Sequence, residues 1–163
     1  NKKIRKEWNL KLFYKSHTDP KIEADLKKCE ALHAAFAKKY RDVDFMRDEG
    51  SFFKALKDYE EMSADPSGSR AILYFYYAKD LNAEDKKAEA ALTKFTDRLT
   101  KASNLIIFFE LAIGKLLPTK QDAFLKSKKL SHFKYFLENI IWHSAISRYM
   151  IGQRRVWWLK FRR

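Results

Sequence analysis

The sequence is poor in the residues that interrupt helices or cross-link chains. Its 163 residues include only four Gly, three Pro and one Cys. A single cysteine excludes an internal disulfide and fits a reducing compartment. Scarce Gly and Pro, beside abundant Ala, Leu, Lys and Glu, favour a helical protein over one rich in strands and turns.

Three further absences narrow the class of protein. No apolar run approaches the roughly 18 consecutive residues that span a bilayer. The opening segment, Asn-Lys-Lys-Ile-Arg-Lys-Glu, has no apolar signal core, so it predicts no secretion signal and we expect a cytoplasmic protein. The glycines at 50, 68, 114 and 152 are isolated, which excludes a glycine-rich phosphate-binding loop.

What the sequence does contain is helical periodicity. Asp19 and Pro20 form a good helix start, and apolar residues then recur every three or four positions up to Tyr40. The other predicted helices cover about 51–62, 69–79, 82–113, 120–126 and 131–141. The sequence therefore predicts an all-α, single multi-helix domain built around one long central helix.

The predicted central helix runs from Asn82 to Ile113. Asn82 with Asp85 resembles a capping box, and apolar residues follow at steps of four and three as far as Gly114. We expect its core side chains to be Leu92, Phe95, Leu99, Ile106 and Phe109.

The order of short patterns is more informative than any one of them. Ser67–Asn82 forms an aromatic helix with an Asp-Leu-Asn corner, and the long helix after it closes in Phe108-Phe-Glu-Leu111. Before them come Trp8-Asn-Leu10, Leu12-Phe-Tyr14, and Asp19-Pro-Lys-Ile22 with Asp25-Leu26. Further matching pieces are Ala35-Phe36 through Tyr40-Arg41, Phe53–Leu56, Asp58–Glu60, Leu130–Phe133 and Tyr135–Glu138.

This succession, over about residues 7–141, resembles the N-terminal helical domain of the oligoendopeptidase F family, the zinc oligopeptidases related to thimet oligopeptidase. The resemblance implies a lobe that forms part of the wall of a cleft admitting short peptides. It also implies a catalytic peptidase domain as partner, normally in the same chain, and zinc held by that domain. We expect residues 1–141 to form the family-like domain.

The catalytic signature of that family is missing from the sequence. Zinc peptidases of this type need His-Glu-x-x-His on one helix face, with the Glu as general base. Here the closest histidines, His132 and His143, are eleven residues apart, and neither precedes a Glu. We therefore expect no catalytic, cofactor-binding or metal-ligating residue in this chain, and no peptidase activity by itself.

Four residues are candidates for a cleft or interface. Tyr74, Tyr76 and Tyr77 belong to a run of aromatic residues that cannot all face one core at helical spacing. Glu110 lies among apolar residues, either as a partly buried carboxylate with a basic partner or as an edge position that reaches solvent.

The last segment, 142–163, departs from the family pattern. It carries six basic residues and no acidic one, and without it the net charge falls from +13 to +7. One interpretation is a basic-aromatic arm that binds RNA or an anionic membrane surface. The chain would then be a free-standing basic helical module, whose partner could also be a protein. The favoured one is a frame-shifted or orphaned end, with Trp142, Trp157 and Trp158 largely exposed or only opportunistically packed.

Overall fold

A computed structural model describes residues 9–146, and in that range the protein is all-α, as predicted. Its helices are α1 (Pro20–Tyr40), α2 (Glu49–Ser63), α3 (Ser67–Leu81), α4 (Lys86–Asn104), α5 (Ile107–Gly114) and α6 (Pro118–Lys126). A further helix, α7, covers 134–146 up to the end of the described range. Short 3-10 helices cover Leu10–Leu12 and Ser131–Phe133.

The start of α1 is the one that the sequence predicts. The Asp19 carboxylate accepts hydrogen bonds from the backbone N–H groups of Lys21 (2.9 Å) and Lys15 (2.8 Å). Pro20 occupies the first helical position, where no backbone N–H is needed. These hydrogen bonds hold the pKa of Asp19 below its usual range, with the bond from Lys15 as the largest cause.

The predicted single helix over 82–113 is wrong, because the chain forms two helices there. Asn82 ends α3 instead of starting α4, and its N–H bonds to the Ala78 carbonyl. Asp85 is the actual N-cap of α4 and accepts from Lys87 N and Ala88 N. At the other end, Ile106 N bonds to the carbonyl only three residues earlier, and α5 begins after that tight turn.

The described residues divide into two compact units. The first takes in 9–39 and 59–106, and the second takes in 40–58 and 107–146. Among the described residues, no helix is long and apolar enough to cross a bilayer.

The core of the first unit is built from aromatic and small residues. Phe75 is fully buried, and its ring lies 4.9 Å from that of Tyr74 and 5.2 Å from that of Phe95. Ala71, Ala78 and Ala88 are also buried, and their small side chains allow helices to approach one another. Five residues of the predicted central helix were expected in the core. Phe95, Ile106 and Phe109 are buried, whereas Leu92 and Leu99 are only partly buried.

An arginine joins α4 to α1 in the same unit. Arg98 donates from Nε and Nη2 to both carboxylate oxygens of Glu30, at 2.7 and 2.8 Å, and from Nη1 to Glu23 at 2.7 Å. This planar, two-pronged contact is the geometry that a guanidinium makes best. It lowers the pKa of both glutamates and raises that of Arg98.

Close approach of α1 and α3 requires Gly68. A methyl group at this position would lie 2.8 Å from Cys29 Sγ and 3.2 Å from a Leu99 methyl. Cys29 is buried, and burial is the largest of the causes that raise the pKa of its thiol. Cys29 therefore acts as a packing residue.

Substitution of Gly68 tests this contact. We expect Gly68→Ala to destabilise the protein by about 1–3 kcal/mol, because overpacking outweighs the better helix propensity of alanine. In a Cys29→Ala background the closest atom is gone, so the same change is expected to cost much less or to stabilise. Chemical denaturation of the wild type, the two single variants and the double variant measures these free energies of unfolding. If Gly68→Ala costs the same in both backgrounds, the contact with Cys29 is contradicted.

The second unit has its own aromatic core. Phe109 is fully buried, with its ring 4.7 Å from that of Phe45. Phe52, also fully buried, lies 4.7 Å from the Phe124 ring. Ile113 completes the buried side of α5. One face of α5 is thus in the core, and the opposite face is available for a surface function.

Candidate functional site

An open groove lies between α5 and α7 in the second unit. Its volume is about 710 Å³. One side of the groove is lined from α5 and the turn that follows it, by Ile107, Glu110, Leu111 and Lys115. The other side is lined from α7, by Tyr135, Phe136, Asn139, Ile140, His143 and Ser144. Most of this lining is apolar, and the charged groups are few and of both signs.

A close contact between the two helices closes one part of the groove. A Cβ on Gly114 would lie 2.7 Å from the Cβ of Ser144, so the helices can approach here only because residue 114 has no side chain. The Ser144 hydroxyl donates a 2.9 Å hydrogen bond to the Gly114 carbonyl. The glycine and serine thereby fix the position of α7 against α5.

The groove is apolar because of the faces that the two helices present. Ile107 and Leu111 are one turn apart on α5, and each remains about half exposed, at 53% and 52%. Tyr135, at the start of α7, is 79% exposed. Contiguous exposed apolar surface of this kind is typical of binding sites.

Of the predicted cleft residues, Glu110 lines this groove. Its side chain is exposed, which agrees with the edge position and not with a partly buried carboxylate. Tyr76 and Tyr77 belong to the first unit, where their rings lie 5.8 Å apart. Tyr76 is 54% exposed, whereas Tyr77 is half-buried with its ring 6.3 Å from that of Phe13.

Tyr74 belongs to the core and not to an open cleft. It is 3% exposed, and its hydroxyl lies 3.1 Å from His17 Nδ1. The other ring nitrogen of His17 lies 2.8 Å from the Asp85 carboxylate. Hydrogen bonds to Asp85 lower the pKa of its carboxyl group; the bond from the backbone N–H of Ala88 has the larger effect, and that with His17 the next. No pattern in the sequence indicates this group, because Tyr74 and Asp85 are 57 and 68 residues away from His17.

The described residues do not form a metal site. Between residues 9 and 146, no three His, Cys, Asp or Glu side chains are grouped so as to hold an ion. His33 instead lies 2.8 Å from the Cys29 carbonyl in its own helix, and His132 is exposed near the start of α7.

The start of the predicted tail is helical. Trp142 lies on α7 and is 61% exposed, as predicted. Trp157, Trp158 and the remainder of the predicted tail beyond residue 146 lie outside the described residues.

In comparisons with protein-family models, with curated proteins and with solved structures, nothing matched this chain. The resemblance to oligoendopeptidase F therefore depends on its short sequence patterns, and the groove has to be interpreted from its own chemistry.

Proposed function

We propose that this chain is a non-catalytic helical lobe that binds a segment of another polypeptide in the groove between α5 and α7. The observation that carries the proposal is the exposed apolar stripe of Ile107 and Leu111 facing Tyr135. Two helices that present such a stripe side by side offer the surface on which a helical or extended segment docks.

The polar groups of the groove suit a polypeptide. Glu110 can accept from a backbone or side-chain N–H, while Lys115 and the Asn139 amide can donate to a carbonyl or a carboxylate. Apolar surface then supplies most of the affinity, and these few polar groups fix the orientation of the bound segment.

The resemblance supplies a more specific form of the same proposal. In that form the chain is the N-terminal, cleft-forming lobe of a zinc-dependent oligopeptidase that hydrolyses short peptides. The polypeptide at the groove is then a peptide substrate or a surface of the catalytic domain. Zinc and the general base come from that domain, which acts by metal-assisted hydrolysis.

The docking test uses a fluorescein-labelled 12-residue amphipathic model helix and an unstructured five-residue apolar peptide. Fluorescence anisotropy with wild-type protein is expected to show saturable binding of at least one of them. Leu111→Asp is expected to raise the dissociation constant at least about tenfold, because it places a charge in the apolar stripe. Val43→Asp is the matched control, since Val43 is also 52% exposed in the second unit but outside the groove.

Two outcomes contradict the docking proposal. One is the absence of saturable binding for both peptides. The other is equal weakening by Leu111→Asp and Val43→Asp, since general surface charge would then explain the effect.

The isolated chain is expected neither to bind zinc stoichiometrically nor to cleave peptides. The reason is the missing His-Glu-x-x-His motif in the sequence. A quenched fluorescent peptide incubated with the protein, with and without zinc, measures this. Turnover that a chelator abolishes in clean protein would show that the chain carries its own catalytic site.

A second candidate function is binding of RNA or an anionic membrane. The observation that favours it is the concentration of charge, since 142–163 contains six basic residues and no acidic one. A gel shift with RNA and sedimentation with anionic vesicles, each at rising salt, test it. A phosphate binder loses affinity steeply with salt, whereas apolar docking changes little.

A further inference from the structure

We infer that the exposed face at the C-terminal end of α3 binds an arginine side chain of a partner polypeptide, between Tyr76, Tyr77 and Asp80. The inference goes beyond the groove, because it concerns a different surface, in the first unit. It involves two of the tyrosines that the sequence singles out, neither of which lines the groove. The face contains the two features that a guanidinium group needs, which are aromatic ring surface and a carboxylate.

Helical geometry brings the three side chains together. α3 is helical throughout Ser67–Leu81, so successive residues are about 100° apart around its axis. Asp80 lies one turn beyond the tyrosines, about 40° from Tyr76 and about 60° from Tyr77, and so between them. Because Cα–Cβ bonds in a helix tilt towards its N-terminus, the Asp80 side chain leans back towards the two rings.

The two tyrosine rings form a corner. Their centroids are 5.8 Å apart and their planes are inclined at 75°. Tyr77 is half-buried, and its ring centroid also lies 6.3 Å from that of Phe13. Tyr76 is 54% exposed, and Leu73, which precedes both tyrosines by one turn, is 39% exposed. A side chain that enters from solvent therefore meets aromatic surface beside an apolar side chain.

The charge at this corner is negative. The Asp80 side chain is exposed, and no Lys, Arg or His between residues 9 and 146 forms an ion pair with it. The adjacent cation, Lys79, instead lies 3.4 Å from Glu89. The C-terminal carbonyl groups of α3 add partial negative charge at the same end of the helix. The corner therefore favours a cation.

Arginine fits this corner better than other partners do. Its planar guanidinium can stack on a ring while it donates two hydrogen bonds to one carboxylate, whereas an ammonium group is a point charge without a stacking face. Its apolar stem can cover Leu73. The bases of RNA also stack on tyrosine, but the phosphates beside them would be repelled by Asp80.

Three short peptides that differ at one position test the inference by NMR titration of the full chain. They are acetyl-Ala-Arg-Ala-amide, its citrulline version, which keeps the shape and removes the charge, and its lysine version. The arginine peptide is expected to cause saturable shift changes at the Leu73 methyl groups and the Tyr76 ring at millimolar concentration. Citrulline is expected to weaken binding at least about tenfold, and lysine about threefold.

Matched variants identify the side chains that bind. Tyr76→Leu removes the aromatic face and Asp80→Asn removes the charge, and each is expected to weaken binding of the arginine peptide about threefold to tenfold. Tyr135→Leu and Asp97→Asn are the controls, because they change an exposed tyrosine and an exposed aspartate outside the corner. Both are expected to bind as the wild type does, and circular dichroism checks that all four variants are folded.

Four results overturn the inference. They are the absence of saturable shifts, equal binding of the arginine and citrulline peptides, equal binding of the arginine and lysine peptides, and equal weakening by the control variants. Leu111→Asp is expected to leave binding of the arginine peptide unchanged, because Leu111 belongs to the second unit. With a model helix that contains no arginine used for the groove, the two binding sites succeed or fail separately.

Discussion

Phe109→Ala is expected to lower the free energy of unfolding by about 3–5 kcal/mol, because truncation of a fully buried phenylalanine loses apolar contacts and leaves a cavity. Phe109 is also the residue through which α5 is anchored, with its ring 4.7 Å from that of Phe45. The exposed face of α5 is in place only while the opposite face is anchored in this way. We therefore expect loss of groove binding at temperatures where the variant begins to unfold.

Phe108 provides the matched control, since it is the preceding residue and of the same type. It is half-buried, and the Arg41 guanidinium carbon lies 5.3 Å from its ring centre. Phe108→Ala is expected to cost only about 1 kcal/mol. Urea denaturation measures both variants. Similar losses would show that the buried and half-buried faces of α5 are assigned wrongly.

Asp25→Ala is expected to cost about 2–3 kcal/mol, because it leaves two polar groups without their acceptor. The same oxygen, Oδ2, accepts from the Tyr14 hydroxyl and from Arg70 Nη1, both at 2.8 Å. Tyr14 is 2% exposed, so water cannot readily replace the lost partner. Burial, reinforced by the bond to Asp25, raises the pKa of Tyr14.

Two controls separate the acceptor from the charge at position 25. Asp25→Asn keeps one carbonyl oxygen and is expected to lose less than Asp25→Ala. Asp97→Ala removes an exposed carboxylate from α4 and is expected to cost less than about 0.5 kcal/mol. Thermal and urea denaturation provide the values. An Asp25→Ala loss no larger than that of Asp97→Ala would contradict the hydrogen-bonded group.

The local parts of the fold could be predicted because they follow from neighbours in sequence. Asp19 and Pro20 mark the start of α1, and the periodic apolar residues carry the helix to Tyr40. The break after Asn104 could not be predicted, because the apolar period continues through it while the hydrogen bonds change. Ser103 and Asn104 have low helix propensity. Propensity alone does not end a helix, because tertiary packing decides whether the helix continues, bends or ends at such residues.

The candidate site could be predicted only in part. Glu110 stood out because its sequence neighbours are apolar, and it does line the groove. The tyrosines are candidates by sequence because a run of aromatic residues cannot all face one core, yet Tyr74 is buried and Tyr76 belongs to the first unit. The groove also requires α7 to lie against α5, and that depends on Gly114 and Ser144, which are thirty residues apart; a periodic pattern contains no information on such a contact.

The most direct measurement of the docking claim is methyl NMR of isoleucine- and leucine-labelled protein during titration with the labelled model helix. The account predicts that the largest shift changes fall on Ile107, Leu111 and Ile140, which line the groove. Ile72 and Leu73 of α3, in the first unit, are expected to remain unchanged. Saturable binding that shifts the α3 methyl groups and leaves those of the groove in place would contradict the account.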